Sequence, residues 1–119
     1  MTENVFSGLT ILDHTRYLLG GYATQVFADL GAEVIKIEEI SKGDLCRDDI
    51  PRINGVSHYF SALNRNKKSL SLNLKDQGGR EAYINLLLRL QKIHPFSAPA
   101  FLSFCNDSEP CKHQKITDE

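Results

Sequence analysis

The sequence contains no tryptophan, one methionine and only three cysteines in 119 residues. The cysteines, Cys46, Cys105 and Cys111, are odd in number and unevenly spaced, which argues against a disulfide framework and makes a reducing compartment the expectation. An excess of one charge is also lacking: 14 Lys and Arg stand against 15 Asp and Glu, a formal net charge of −1. Proteins dedicated to nucleic acid or to membrane surfaces draw affinity from a strong basic excess, so neither partner is expected. No apolar run approaches the length that spans a bilayer. Residues 1–7, Met-Thr-Glu-Asn-Val-Phe-Ser, have neither the basic start and apolar core of a signal peptide nor the arginines of a transit peptide. A cytoplasmic location is the expectation, or a mitochondrial one if the natural start lies upstream. What remains is an ordinary globular composition, 41% apolar with eight glycines, which fits one α/β domain or part of one.

Leu9-Thr10-Ile11-Leu12, between Gly8 and Asp13, is a short β-favouring run and predicts a first strand. Asp13-His14-Thr15-Arg16 leads to the pair Gly20-Gly21. Beyond it Ala23, Val26, Phe27 and Leu30 recur at helical spacing, with Thr24, Gln25 and Asp29 on the other side. Gly31 suits the left-handed stop of that helix. Val34-Ile35-Lys36-Ile37 predicts a second strand, completing a βαβ unit with parallel strands and a right-handed crossover. Residues 39–56 read as a long connector interrupted by Gly43, Pro51 and Gly55. Ser57 is placed to cap a short helix reaching Leu63. Ser69-Leu70-Ser71-Leu72-Asn73-Leu74 alternates strictly and predicts a third strand with its leucines on one face. Asp76 suits the start of a last helix, striped by Tyr83, Leu86, Leu87, Leu90 and Ile93.

From His94 onward the chain carries three of its four prolines and keeps no period, so residues 94–119 are expected to form an irregular or disordered tail. The expected fold is α/β: a Rossmann-like, parallel, three-stranded segment over residues 1–93, followed by that tail. Three parallel strands leave uncovered edges, as the opening portion of a larger fold would.

The run Gly8-Leu9-Thr10-Ile11-Leu12-Asp13-His14-Thr15-Arg16 is followed by Ala23-Thr24-Gln25-Val26-Phe27-Ala28-Asp29-Leu30-Gly31-Ala32-Glu33-Val34-Ile35-Lys36-Ile37-Glu38. Gly43-Asp44, Arg47, Tyr59-Phe60, Asn64-Arg65-Asn66-Lys67-Lys68-Ser69-Leu70, Asn73-Leu74-Lys75 and Gly79-Arg80 come next, in that order. This succession, covering Gly8 to Leu90, resembles the N-terminal part of the class III CoA-transferases, the formyl-CoA and carnitine CoA-transferase family. The resemblance implies transfer of CoA from an acyl-CoA to a carboxylic acid. In that chemistry an Asp carboxylate attacks the thioester, forms a mixed anhydride and releases CoA thiolate, which re-attacks to make the new thioester. It implies CoA or acyl-CoA as substrate and no tightly bound cofactor. It also implies interlocked homodimers for full-length members, which this shorter chain is not expected to form.

The family's nucleophilic Asp belongs to a later segment that has no counterpart here, and none of Asp13, Asp29, Asp44, Asp48 or Asp49 aligns with it. No catalytic residue is therefore assigned, and the implied reading is a truncated transferase, inactive alone. The family's CoA contacts fall on Arg16, Leu18 and Leu19 after the first strand, and on Leu72, Asn73, Leu74 and Lys75 after the third. Glu39 lies where some relatives place an Arg against the nucleotide.

The residue types alone leave several readings open. Ligands gather at strand carboxyl ends in open α/β sheets, and helix N-termini favour phosphate, but a Gly pair equally serves to start a helix. Arg65, Lys67, Lys68 and Lys75 place four cations in eleven residues with no acid among them, which suits the CoA phosphates and makes Lys68 a further candidate contact. A solvated basic loop is the plainer alternative, and an RNA patch would need interleaved aromatics. For a dinucleotide site, Glu38 resembles the ribose-binding acid, but the glycine fingerprint is missing. The Cys105, Cys111 and His113 spacing matches no usual zinc knuckle. His14 and His58 are read as structural or surface residues. Two further functions remain beside the transferase: a non-catalytic CoA- or nucleotide-binding or regulatory fragment, and the acyl-CoA racemase branch, whose members usually shorten the connector and lose much of the Tyr59-Phe60 to Asn66 stretch that this chain keeps.

Overall fold

The computed structural model describes residues 4–93 and 100–102. The expected βαβ unit consists of β1 (Thr10–Asp13), α1 (Tyr17–Asp29) and β2 (Glu33–Glu38). β1 is buried along its whole length and pairs in parallel with β2, from Thr10 opposite Glu33 to Asp13 opposite Lys36. Next comes a 3-10 turn at Leu45–Asp48, followed by a hairpin of β3 (Arg52–Ile53) and β4 (Val56–Ser57). Asn54 and Gly55 at the hairpin tip both take positive φ, 52° and 79°, as two-residue hairpin turns require. The 39–56 connector is thus more structured than its sequence suggested. α2 (His58–Asn64) starts as expected, with the Ser57 side chain accepting from the Phe60 N–H at 3.1 Å. β5 (Lys67–Ser71), α3 (Gln77–Ile93) and β6 (Ala100–Leu102) complete the described chain.

The main sheet has the order β5-β2-β1-β6, and every pairing is parallel. Its first three members are the expected strands. The fourth corrects the expectation of an irregular tail at residues 100–102, which lie beside β1 from Ile11 opposite Ala100 to Asp13 opposite Leu102. Three residues are too few to display a period in the sequence. Residues 94–99 and 103–119 of the expected tail, with Cys105, Cys111 and His113, lie outside the described residues.

β5 begins and ends earlier than the Leu alternation suggested. The Asp76 N–H donates to the Asn73 carbonyl at 3.1 Å, and Gly79 packs so closely that a Cβ there would sit 2.0 Å from the same oxygen. This turn ends the ladder at Ser71, so Leu72 and Leu74 follow the strand instead of lining it.

The apolar core joins Ile11, Val34, Ala28 and Ala32, with Phe6, Leu9 and Phe27 packed around them. Only part of the expected apolar stripe of α1 turns inward: Phe27 packs on the core, and Gly20, Gly21, Thr24, Gln25 and Ala28 are buried, whereas Val26 and Leu30 are exposed. Close approach decides this. A Cβ on Gly20 would lie 2.1 Å from the Thr15 Cβ, so only glycine lets the helix come down onto the end of β1.

Candidate functional site

Lys36 stands near the middle of β2 with only 1% of its surface exposed. A buried ammonium is tolerable only when paired and hydrogen-bonded, and the carboxyl end of the sheet supplies its partners. Its Nζ lies 2.7 Å from Asp44 Oδ2 and 3.9 Å from Asp13 Oδ2, and donates to the Thr15 carbonyl at 2.8 Å. Asp13, at the end of β1, also accepts from the Thr15 N–H at 2.8 Å, from the Thr15 hydroxyl at 2.5 Å and from the Thr24 hydroxyl at 2.7 Å. Lys67 completes the cluster, donating to Asp13 Oδ2 at 3.1 Å, the Gly21 carbonyl at 2.8 Å, Thr24 Oγ1 at 2.7 Å and Asn64 Oδ1 at 3.0 Å. Burial opposes the charge on Asp13, yet Lys36, the two threonine hydroxyls and Lys67 together hold its carboxyl below the usual range. Burial also lowers the Lys67 ammonium from its ordinary value, against the pull of Asp13.

A second buried acid, Glu38, closes β2. Arg47 grips it with two hydrogen bonds of 2.7 Å, Ser69 Oγ adds another of 2.7 Å, and the Asp44 N–H donates at 2.9 Å. Burial works against the carboxylate, but these donors outweigh it and hold its pKa down to about 2. The Arg47 guanidinium also lies 3.8 Å from the centre of the Phe60 ring, a cation–π contact. With its oxygens engaged in this way, Glu38 is not presented to a ribose, which removes the one dinucleotide-like feature of the sequence.

Above this buried layer, three loops reach one edge of the sheet. Arg16 follows β1, is exposed at the N-cap of α1 and makes no capping hydrogen bond with its side chain. Leu18 and Leu19 are exposed in the first helical turn. Glu39 follows β2; its carboxyl is lowered first by the Ser41 hydroxyl and also by the charge of Arg16. The Leu72 N–H, after β5, donates to the Glu38 carbonyl at 2.9 Å, and Asn73 Oδ1 accepts from the Lys75 N–H at 3.1 Å. Leu72 is half-buried, while Asn73, Leu74 and Lys75 are exposed. The expected candidates on the loops after β1 and β5 thus lie at the same carboxyl edge. His14 and Tyr83 stand beside them, His14 Nε2 lying 2.7 Å from the Tyr83 hydroxyl with the rings edge to face. Burial lowers the His14 pKa and pushes the Tyr83 hydroxyl up to about 12.

Lys68 does not join them. It lies in the first half of β5 and pairs with Glu33, which opens β2, at the amino end of the strands. The basic cluster read from the sequence is dispersed in the same way. Arg65 pairs with Asp29 at 2.6 Å, and Lys67 is buried against Asp13. Strand alternation sends consecutive residues to opposite faces, so adjacency in sequence did not make a patch. The buried framework of Lys36, Asp44 and Arg47 was missed as a unit. Its signal was a lysine in the middle of an apolar strand. Among the described residues no group of three His, Cys, Asp or Glu side chains could hold a metal ion, and no helix is long and apolar enough to cross a membrane.

The family model of CoA-transferase family III matches residues 6–89. The chain belongs to this family. It is 43% identical over 82 residues to the acetyl-CoA:oxalate CoA-transferase of Acetobacter aceti, covering 69% of this chain and 21% of that one. It is 51% identical over 73 residues to the succinyl-CoA:glutarate CoA-transferase of Mus musculus, covering 60% of this chain and 17% of the relative. A CAIB/BAIF family protein from Brucella suis superposes with a TM-score of 0.67 at 32% identity, over 74% of this chain and 24% of that structure. The chain spans about a fifth of the length of these curated CoA-transferase relatives.

Proposed function

We propose that this chain forms the nucleotide-binding part of a family III CoA-transferase site, whose substrate is an acyl-CoA and whose second substrate is a carboxylic acid. What supports this reading is that the loops carrying Arg16, Leu18 and Leu19 and those carrying Leu72, Asn73, Leu74 and Lys75 follow parallel strands and so leave the sheet at its carboxyl edge, where α/β folds bind ligands. The first turn of α1 offers backbone N–H groups to a phosphate, Arg16 adds exposed positive charge at its start, and Lys75 adds another exposed cation after β5 at the same edge of the sheet. Lys36 and Lys67 are already neutralised by buried acids and hold the loops in place instead. Lys68 is left out of the site by its position. The anhydride-forming Asp of the family reaction matches none of these 119 residues, so on this reading the chain binds CoA without transferring it.

Calorimetry with CoA tests the proposal. Lys75→Ala is expected to weaken binding by about 1–3 kcal/mol, the range for losing a hydrogen bond to a charged group. The wild-type chain is expected to release no free CoA from succinyl-CoA. Equal affinity of wild type and Lys75→Ala would reduce the lysine to a solvated loop residue, and an acyl-enzyme trapped by hydroxylamine on this chain would refute its inactivity.

A further inference from the structure

Tyr17 opens α1 with φ of +62°, a left-handed conformation that costs a side-chain-bearing residue strain. Such strain persists only where the surroundings over-determine it, and it concentrates at functional sites. Here the surroundings are specific. The Thr15 carbonyl is held by Lys36 Nζ at 2.8 Å, and the Thr15 N–H by Asp13 at 2.8 Å. The Tyr17 N–H faces Asp44 Oδ1 at a long 3.4 Å, and Asp44 is itself fixed by Lys36 at 2.7 Å and by the Cys46 N–H at 3.0 Å. Gly20 then rests directly on Thr15. The residues flanking Arg16 are therefore locked from beneath by side chains with almost no exposure, while Arg16 itself is exposed. A framework that needed only to start a helix would have no use for a strained residue there, since an ordinary cap begins a helix without strain.

We infer that Lys36 and Asp44 are positioning residues for nucleotide binding: the buried pair holds the strained Thr15–Tyr17 turn so that Arg16 and the first N–H groups of α1 face the ligand. The inference rests on the CoA reading above and adds residues that touch no ligand themselves. It also gives the charge in the middle of β2 a purpose. A methionine of similar length would pack in that strand without the desolvation cost, but it could not hold the Thr15 carbonyl.

The test uses the 119-residue chain, CoA as ligand, calorimetry, and hydrogen exchange resolved to single amides. Lys36→Met and Asp44→Asn are each expected to weaken CoA binding at least tenfold and to speed exchange at residues 16–19, while amides of β1 and β2 keep their protection. Asp44→Asn retains the Oδ1 acceptor and guards against a Lys36→Met chain that fails to fold. The decisive variant adds Tyr17→Gly to Lys36→Met. Glycine adopts positive φ without strain, so the double variant is expected to regain part of the lost affinity, which a purely structural role of Lys36 would not allow. Unchanged affinity in both single variants, protection lost throughout the sheet in both, or no recovery with Tyr17→Gly would each overturn the positioning role while leaving the CoA reading intact. A wild-type chain that binds no CoA would overturn both.

Discussion

Glu38 shows how single residues set the pH response of this fold. Its carboxyl has a folded pKa of about 2 against an ordinary value of 4.5. Between those values the unfolded chain binds a proton that the folded chain does not, so stability falls as pH drops through this window and is fully present above it. The side chain is only 2% exposed, so little solvent screening applies, and the linked contribution is on the order of 3 kcal/mol. Glu38→Gln is expected to flatten the stability profile between about pH 4.5 and pH 2, measured by urea unfolding at a series of pH values. An unaltered acid limb would show that Asp13 and Asp44 carry it instead. Arg47 serves Glu38 and stacks on Phe60, and neither partner could be inferred from spacing, because Arg47 sits in a 3-10 turn nine positions after Glu38 and thirteen before Phe60. The family resemblance placed both residues in its pattern without saying that they meet.

At the scale of the elements, α1 shows where periodicity succeeds and where it misleads. Ala23, Val26, Phe27 and Leu30 correctly marked a helix, yet the buried face is built of glycines, Thr24, Gln25 and Ala28. Apolar spacing registers hydrophobic burial only, whereas this face is selected by closeness to Thr15 and by the demand of Asp13 for hydroxyl donors. The two glycines, indistinguishable in sequence, should therefore respond in opposite ways to alanine. A Cβ on Gly21 would find its nearest neighbour, the Leu63 Cβ, at 3.7 Å, an ordinary contact. Gly21→Ala is expected to stabilise by about 0.5–1 kcal/mol through helix propensity. Gly20→Ala would force its Cβ into Thr15 and is expected to destabilise by about 1–3 kcal/mol. Urea midpoints of the two variants decide the matter, and shifts of the same sign would mean that Thr15 gives way. β5 carries the same lesson. The Leu alternation announced a strand, but the turn at Asn73 decided where pairing stops, and turns of that kind depend on contacts with Gly79 that no local pattern displays.

For the whole molecule, the βαβ pattern announced the parallel pairing of β1 with β2, while the places of β5 and β6 in the order β5-β2-β1-β6 come from the structure, and the described chain leaves much apolar surface uncovered. Leu19, Tyr22 and Val26 run along the outer face of α1, with Leu30 exposed at its C-cap and Leu19 77% exposed. Ile40, Ile50, Ile53 and Val56 are exposed on the segment between β2 and α2. In addition β5 and the three-residue β6 are sheet edges, which template pairing with other chains unless they are blunted. Contiguous apolar surface of this kind marks contact with further protein, and the matched segment makes up only about a fifth of the curated relatives. Alone, the 119 residues are expected to self-associate in a concentration-dependent manner and to unfold over a broad thermal range. The hydrophobic burial available to a chain of this size offsets its conformational entropy only narrowly, and this one leaves part of that burial unused. Sedimentation velocity across a dilution series reads the first property and circular dichroism on heating reads the second. Dye binding at the α1 face, reduced by Leu19→Glu with Tyr22→Glu, would locate the contact. A monodisperse monomer with one sharp transition would overturn this expectation.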